Sequence, residues 1–378
     1  MDKILTLRGG PELVAFWAQL GSVTEVVAAV ALAGAGTGIS VLVARAETPE
    51  RQRELLHQSL RIGLAVSAPV ALAVVAFSLA FPGKLAGDGP SQTLVALAAA
   101  VGCIVVVPGM LNGYWLGQQR RDLMLALGVG SSLVVLVAAL AAPQAQLLAA
   151  LTLAQGVPAL AAVFFLGKTE PRAAPAAEHG SLKRYILPGL VIGLLTPLAM
   201  VAARDVVAAR MSWHDVGLLQ SLWRVSDWVG NVAAGVMAVY FLPRLSAAHG
   251  TPRFAAELKR AALATILPSA LALAAIGALH RPVFSLLYDE TFRMTDATVA
   301  LFFAGTFARI ASWLPLYALY AMRRTRSLAI GEFLSMPLFA ALLAACPGTL
   351  TLEAVGALWL AAYLAYGVFN LWAVRRAA

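Results

Sequence analysis

Apolar residues fill this chain in long unbroken runs, and the polar positions fall between the runs instead of alternating within them. The runs are roughly 18 to 30 residues long and rich in Ala, Leu and Val, matching the ~20 residues a helix needs to cross a bilayer core. Strands of an outer-membrane barrel would instead alternate over about ten residues. The pattern predicts about eleven spanning helices, near 12–44, 58–82, 91–118, 121–142, 145–167, 184–210, 214–243, 257–279, 295–322, 326–345 and 352–373. Residues 1–11, with Arg8-Gly9-Gly10-Pro11, read as a loop. The Ala/Pro-rich stretch 168–182, with Pro171, Pro175 and Gly180, reads as a cytoplasmic linker between an N-terminal bundle (1–167) and a C-terminal bundle (183–378).

Composition agrees with the pattern. Of 378 residues 60% are hydrophobic and 12% charged, and the mean hydropathy is +0.80. Too little polar surface is available to cover that apolar mass in water, so the solvent must largely be lipid. In lipid each span must satisfy its own backbone hydrogen bonds, which leaves an all-α polytopic protein. The formal charge of +9 does not point to nucleic acid, because the basic residues cluster in alternate loops. Arg45, Arg51, Arg53 and Arg61, then Arg120 and Arg121, Lys168 and Arg172, Arg244 and Arg253, Arg323 and Arg324, and Arg375 and Arg376 fall on one side. By the positive-inside rule that side is cytoplasmic, with the C-terminus on it. The N-terminus then lies outside, and the odd helix count suggests that a first helix is missing. Cys103 and Cys346 lie within apolar runs as packing residues, and the histidines lack metal-ligand spacing, so no metal site is expected.

The two bundles look like a repeat at an offset of about 200 residues, as in parallel-repeat transporters. Tyr114-Trp115-Leu116 before Arg120-Arg121 answers to Tyr317-Ala318-Leu319 before Arg323-Arg324. Two like bundles suggest a transporter with a cavity between them.

Charges within spans carry the chemistry, because burying them in hydrocarbon costs several kcal/mol. Gln220, Arg224, Asp227 and Asn231 fall at i, i+4, i+7 and i+11, a polar stripe about 16 Å long on one helix face. Arg224 and Asp227 can pair along that helix. Thr306, Arg309, Trp313, Tyr317 and Tyr320 form a second stripe. Arg309 has no acid within one turn and must pair across helices, meet water or meet an anionic ligand. Trp313 could stack on a sugar or simply pack. Glu25, alone in the first run, is a candidate for coupling to protons or cations if buried, or a counter-charge to an arginine. Arg204 and Asp205, near a helix end, could snorkel to the headgroups. Glu332 lies near a cytoplasmic end, where a charge is cheap. No P-loop is present; Leu32-Ala33-Gly34-Ala35-Gly36-Thr37-Gly38 lies inside a span and reads as close helix packing.

From 204 to 246 the sequence resembles the Wzx-type polysaccharide flippases, the translocases for O-antigen and enterobacterial common antigen within the MOP/MATE superfamily. Arg204, Ser212-Trp213, Asp215-Val216-Gly217, Gln220, Ser226-Asp227, Leu242-Pro243 and Leu245-Ser246 are similar to that family's pattern. Arg309 stands where the family can carry lysine, and Asp205 where a basic residue is more usual. The resemblance implies a MOP/MATE-like fold of about twelve helices in the bacterial inner membrane, the first absent here. It implies an undecaprenyl-diphosphate-linked glycan as substrate, a polysaccharide polymerase and chain-length regulator as partners, and no cofactor beyond a proton or sodium gradient. Arg224, Arg309 and Arg204 would hold the diphosphate, Gln220, Asp227, Asn231 and Trp313 would line the sugar path, and Glu25 or Asp227 would couple the movement. A MATE-like multidrug or cation antiporter, a membrane-bound polymerase or ligase, and a non-transporting scaffold of a glycan assembly complex are the alternatives. An antiporter of cations would want an excess of intramembrane acids, and an enzyme of the second kind a large external loop; neither is present.

Overall fold

The computed structural model describes the backbone of residues 1–81, 91–160 and 179–377, and their side chains except those of 33–37, 41, 179–192 and 377. Among the described residues every regular element is helical. Nine of these helices are long and apolar enough to cross a membrane. Large apolar side chains such as Leu72, Val232 and Val239 are more than 70% exposed, a surface that suits lipid and not water. The chain is a multi-pass membrane protein.

The first helix, α1 (Asp2–Arg45), corrects the loop expected over 1–11. The chain is helical from Asp2, and only Gly9 and Gly10 leave helical geometry. Gly10 sits at φ +64°, ψ −164°, a region that side chains exclude and glycine allows. Pro11 follows and restarts the helix at a position where its missing N–H costs nothing.

The chain separates into two compact units, and the divisions fall within two helices, α1 and the helix His179–Arg210. Unit 1 comprises Met1, Lys3–Arg8 and Phe16–Val201; unit 2 comprises Asp2, Gly9–Ala15 and Ala202–Ala378. The linker expected at 168–182 lies outside the described residues up to 178, and from His179 the backbone is already helical.

In unit 1, α2 (Pro49–Ala80) starts at a Thr48 cap with Pro49 as its first residue, and α3 (Gln92–Gly117) at a Ser91 cap. α4 (Arg121–Ala141) ends where Arg8 Nη1 donates to the Ala139 carbonyl at 2.8 Å. α5 (Leu147–Gly156) opens the span expected at 145–167, whose residues from 161 lie outside those described. α1 and α3 pack at backbone distance because α3 presents glycines. A Cβ on Gly102 would stand 2.7 Å from Val27 Cβ, one on Gly109 2.5 Å from Leu32, and one on Gly117 2.7 Å from the Ser40 carbonyl. Small residues give membrane helices this close contact where no hydrophobic effect drives them together.

α6 (His179–Arg210) leads into unit 2. α7 (Trp213–Val236) begins at Ser212, whose hydroxyl caps the Asp215 N–H. It continues through a π segment (Met237–Phe241) into α8 (Leu242–Ala248), beyond the end expected at 243. Pro243 has no N–H for the ladder, and the wider turn absorbs it. α9 (Arg253–Ala278) is followed by a short helix absent from the sequence reading, α10 (His280–Leu287). α11 (Asp296–Ala321) and α14 (Leu352–Ala377) pack along most of their lengths. The single span expected at 326–345 is broken into α12 (Thr325–Phe333) and α13 (Met336–Ala345) by a non-helical Ser335.

The repeat has a local counterpart. After α3, Gln119 adopts φ +59°, and after α11, Arg323 adopts φ +56°. The Arg120 N–H then donates back to Trp115 at 2.9 Å, and the Arg324 N–H to Leu319 at 3.0 Å. The same Schellman-type turn therefore closes both helices.

Candidate functional site

The two polar stripes of the sequence face each other inside unit 2. Ser226 Oγ on α7 lies 2.9 Å from Thr306 Oγ1 on α11. One turn along, Arg309 Nη2 donates to Asp227 Oδ1 at 2.9 Å. Further on, the Tyr317 hydroxyl donates to the Ala234 carbonyl at 3.4 Å. The register depends on a glycine: a Cβ on Gly230 would meet Arg309 Nη2 at 3.0 Å and Trp313 at 3.2 Å.

The Arg309 side chain is 13% exposed and that of Asp227 41%, so the pair stands at the edge of the packed interior near the middle of both helices. Trp313 and Trp359 flank the guanidinium at 5.6 and 5.7 Å, within cation–π range. Trp359 lies flat on Phe302, with ring centroids 5.2 Å apart, and its indole N–H donates to Thr306 at 3.4 Å. Aromatic packing thus fixes the direction of the arginine.

Arg224 does not take the intrahelical partner that its spacing offers. Its Nε lies 3.3 Å from Asp2 Oδ2, while Asp227 belongs to Arg309. Tyr288, stacked between Phe284 and Phe292, stands near both charges. Burial pushes its phenol up, with Asp2 adding and Arg224 opposing. The ion contact to Asp2 engages the Arg224 Nε and that to Asp227 the Arg309 Nη2, one nitrogen each of a guanidinium that has several donors. Such an arrangement can accept a further anion by exchanging or sharing the carboxylates.

Arg204 does not snorkel. It is 2% exposed, and its Nε and Nη2 donate to Gln220 Oε1 at 3.2 and 2.8 Å. Its guanidinium also lies over the Trp223 ring at 5.5 Å. Arg204 and Gln220 therefore lock α6 to α7, and neither opens to a ligand here. Replacing Gln220 with Leu is expected to lower stability by about 1.5–3 kcal/mol, the range for a hydrogen bond to a buried charge. Thermal unfolding of the detergent-solubilised protein checks this, and an unchanged midpoint would assign the compensation of Arg204 to other contacts.

Asn231 is exposed at the open end of the α7 stripe, and Trp313 is half-buried against Arg309. Glu25 is exposed on α1 in unit 1, while Val23, Val26 and Val27 turn inward. Sequence reasoning missed Trp359, Asp2 and Gly230. Trp359, Tyr363, Tyr366 and Asn370 recur at i, i+4, i+7 and i+11 on α14, a stripe that helical periodicity could have flagged. Among the described residues no group of three or more His, Cys, Asp or Glu side chains could hold a metal.

No family model matches the sequence. The chain is 26% identical over 258 residues to the lipid III flippase of Escherichia coli (strain K12), and equally to that of Shigella flexneri. The alignment covers 65% of this chain and 62% of each relative, so the chain spans less than two thirds of those proteins. Among solved structures it resembles an inward-facing multidrug resistance MATE family transporter of the MOP superfamily. The TM-score is 0.81 at 18% identity, over 100% of this chain and 93% of the other. A MOP superfamily transporter from Pyrococcus furiosus with a binding pocket of reversed polarity matches with a TM-score of 0.63 at 16% identity, over 100% and 98%. The fold is that of the MATE transporters of the MOP superfamily.

Proposed function

We propose that this protein is a flippase that moves an undecaprenyl-diphosphate-linked oligosaccharide, an O-antigen or common-antigen repeat unit, from the cytoplasmic to the periplasmic leaflet of the bacterial inner membrane. The observation that carries the reading is the pair of guanidinium groups on facing stripes near mid-span. Arg309 is braced by two tryptophans, and Arg224 lies about one helical turn from Asp227. A diphosphate would take the donors that the carboxylates leave, and Asn231 and Trp313 would meet the sugars. Arg204 and Gln220 act behind them as supports. The likeness to lipid III flippases supports a lipid-linked substrate. The lipid tail stays in the bilayer and needs no pocket. A polysaccharide polymerase and a chain-length regulator would act on the product, and the C-terminus would lie in the cytoplasm.

Movement against a gradient needs a driving ion, proton or sodium, that binds the two states differently. We assign that role to Asp227, because it is the carboxylate that pairs with Arg309. A MATE-like exporter of cations is the second reading, and the fold favours it equally. The arginines argue against it, since a cationic drug would meet Arg224 and Arg309 at the same stripe.

The test is a deletion strain lacking other flippases, complemented with wild type or with Arg224→Ala/Arg309→Ala at matched membrane levels. Full-length lipid-linked glycan is expected to accumulate on the cytoplasmic side and to be relieved by wild type alone. Relief by both keeps the flippase and removes the arginine site. No accumulation and no loss of surface glycan would overturn the flippase and favour the exporter.

A further inference from the structure

Away from the stripes, two cavities of unit 2 meet at one histidine. Between α9 and α11 runs an apolar groove of about 590 Å³. α9 lines it with Ala270 and Ala274, and α11 with Ala300, Phe303 and Ala304. Ala274, Ala300 and Ala304 are exposed, so the groove opens sideways to the surroundings. Asp296, Ala300 and Ala304 follow at i, i+4 and i+8, a single row along α11. From Asp296 to Phe307, which also lines the groove, the helical rise is roughly 16 Å. That is half of the ~30 Å hydrocarbon core, the depth of one leaflet.

His280 stands at the polar end of the groove and also lines a second cavity of about 570 Å³. It opens α10, where Phe284 one turn on is buried with it while Leu279 and Leu286 are exposed. A short amphipathic helix of this kind suits the membrane interface. His280 is 8% exposed. Its Nδ1 lies 2.9 Å from the Gly277 carbonyl oxygen. A carbonyl only accepts, so Nδ1 carries the hydrogen and Nε2 of the neutral ring is an acceptor. Among the described residues Nε2 finds no hydrogen-bond partner, and it lies 3.4 Å from Asp296 Oδ1, a second acceptor. Two buried acceptors this close call for a donor that both can share. Arg281 Nη2 donates to the same Asp296 oxygen at 3.1 Å. The Arg281 side chain is 78% exposed, which leaves its guanidinium open to a phosphate.

We propose that the groove between α9 and α11 holds an acyl chain of a phospholipid with a primary-amine headgroup, whose ammonium donates to His280 Nε2 and Asp296 Oδ1 and whose phosphate meets Arg281. The charges fit a zwitterion. Two arginines, Arg281 and Arg293, line the two cavities together with three carboxylates, Asp289, Glu290 and Asp296. No surplus of cations is offered to an anionic headgroup, and the extra carboxylate suits a cation tethered to a phosphate. A primary ammonium has three donors, enough for both acceptors, whereas a trimethylammonium has none. The length of the groove matches a chain in one leaflet, and its small side chains leave room for methylenes. The site concerns the lipid around the protein and does not rest on the flippase reading.

Native mass spectra of the full chain in detergent, titrated with lipids of identical acyl chains, test the site through the first lipid bound. Phosphatidylethanolamine is expected to bind at least about tenfold more tightly than phosphatidylcholine, the weight of one hydrogen bond to a charged group. The two share phosphate, chains and net charge and differ in their N–H donors. Phosphatidylglycerol, which has no amine, should bind no better than phosphatidylcholine. Asp296→Asn should bring the first two lipids together, and Ala300→Phe should weaken both by filling the groove. Equal binding of the two by the wild-type protein, a comparison that needs no variant to fold, overturns the proposal and leaves His280 a protonated partner of Asp296. Tighter binding of phosphatidylglycerol overturns it as well, as does a preference that persists undiminished in Asp296→Asn. Glycerophosphoethanolamine, the headgroup without chains, should compete poorly; if it competes as well as the whole lipid, the groove takes no chain and the proposal falls. Displacement of phosphatidylethanolamine by undecaprenyl phosphate at equal concentration would give the groove to a polyprenyl chain and overturn the proposal too. The deletion-strain assay is read separately, so failure of the lipid site leaves the flippase reading standing, and failure of the flippase leaves the lipid site.

Discussion

Asp227→Ala is expected to destabilise the protein by about 3 kcal/mol, the lower end of the range for removing one partner of a buried ion pair. The Asp227 side chain is 41% exposed and relaxes some of the cost, but that of Arg309 is 13% exposed and would be left uncompensated. It cannot swing to water, because Trp313, Trp359 and the Gly230 backbone hold it. Arg309→Ala should cost less, since the half-exposed carboxylate can hydrate. The double variant should be more stable than the sum of the single losses predicts, which a double-mutant cycle reads as coupling. Unfolding in detergent, followed by helix signal, makes the measurement. Strict additivity would show that the contact contributes nothing and that Arg309 is held by its aromatic neighbours alone.

That contrast separates what the sequence disclosed from what it concealed. The spans were legible because a helix in lipid needs a long apolar run and little else. The two stripes were legible because each lies on one helix, where periodicity alone aligns Gln220 with Arg224 and Asp227, or Thr306 with Arg309. The choice of partner was not. Arg224 and Asp227 stand at good intrahelical spacing, yet Asp227 goes to Arg309 and Arg224 to Asp2, because the register of α7 against α11 is set by Gly230 and by the packing behind Arg309. Burial of single charges was hidden for a related reason. Glu25 and Arg204 sit in helices apolar on nearly every side, so depth could be counted while the face could not. Gly9-Gly10-Pro11 looks like a loop in sequence, but only two residues need to leave the helix. α10 has eight residues and no run to announce it. The break at Ser335 was invisible inside an apolar stretch.

Gly305→Ala is expected to cost about 2–3 kcal/mol, a large effect for one methyl group. Overpacking of a close-packed interior is tolerated when a flexible side chain can move aside. Here the added Cβ would stand 2.3 Å from Trp359 Cδ1, 2.8 Å from the Leu360 nitrogen and 3.0 Å from Leu360 Cα. Two of these atoms are backbone, so α14 itself must shift from α11. The displaced Trp359 is the ring that lies on Phe302, donates to Thr306 and backs Arg309. A fault at Gly305 therefore reaches the candidate site through one side chain. Gly128→Ala is the matched control: nothing lies within 4 Å of its added Cβ, and the gain in helix propensity should stabilise α4 by up to about 1 kcal/mol. Opposite signs for the two substitutions, read as shifts of the unfolding midpoint, would confirm that α11 and α14 meet at backbone distance. A loss for Gly305→Ala no greater than for Gly128→Ala would mean that the two helices can part freely. The aromatic brace behind Arg309 would then be too loose to orient it.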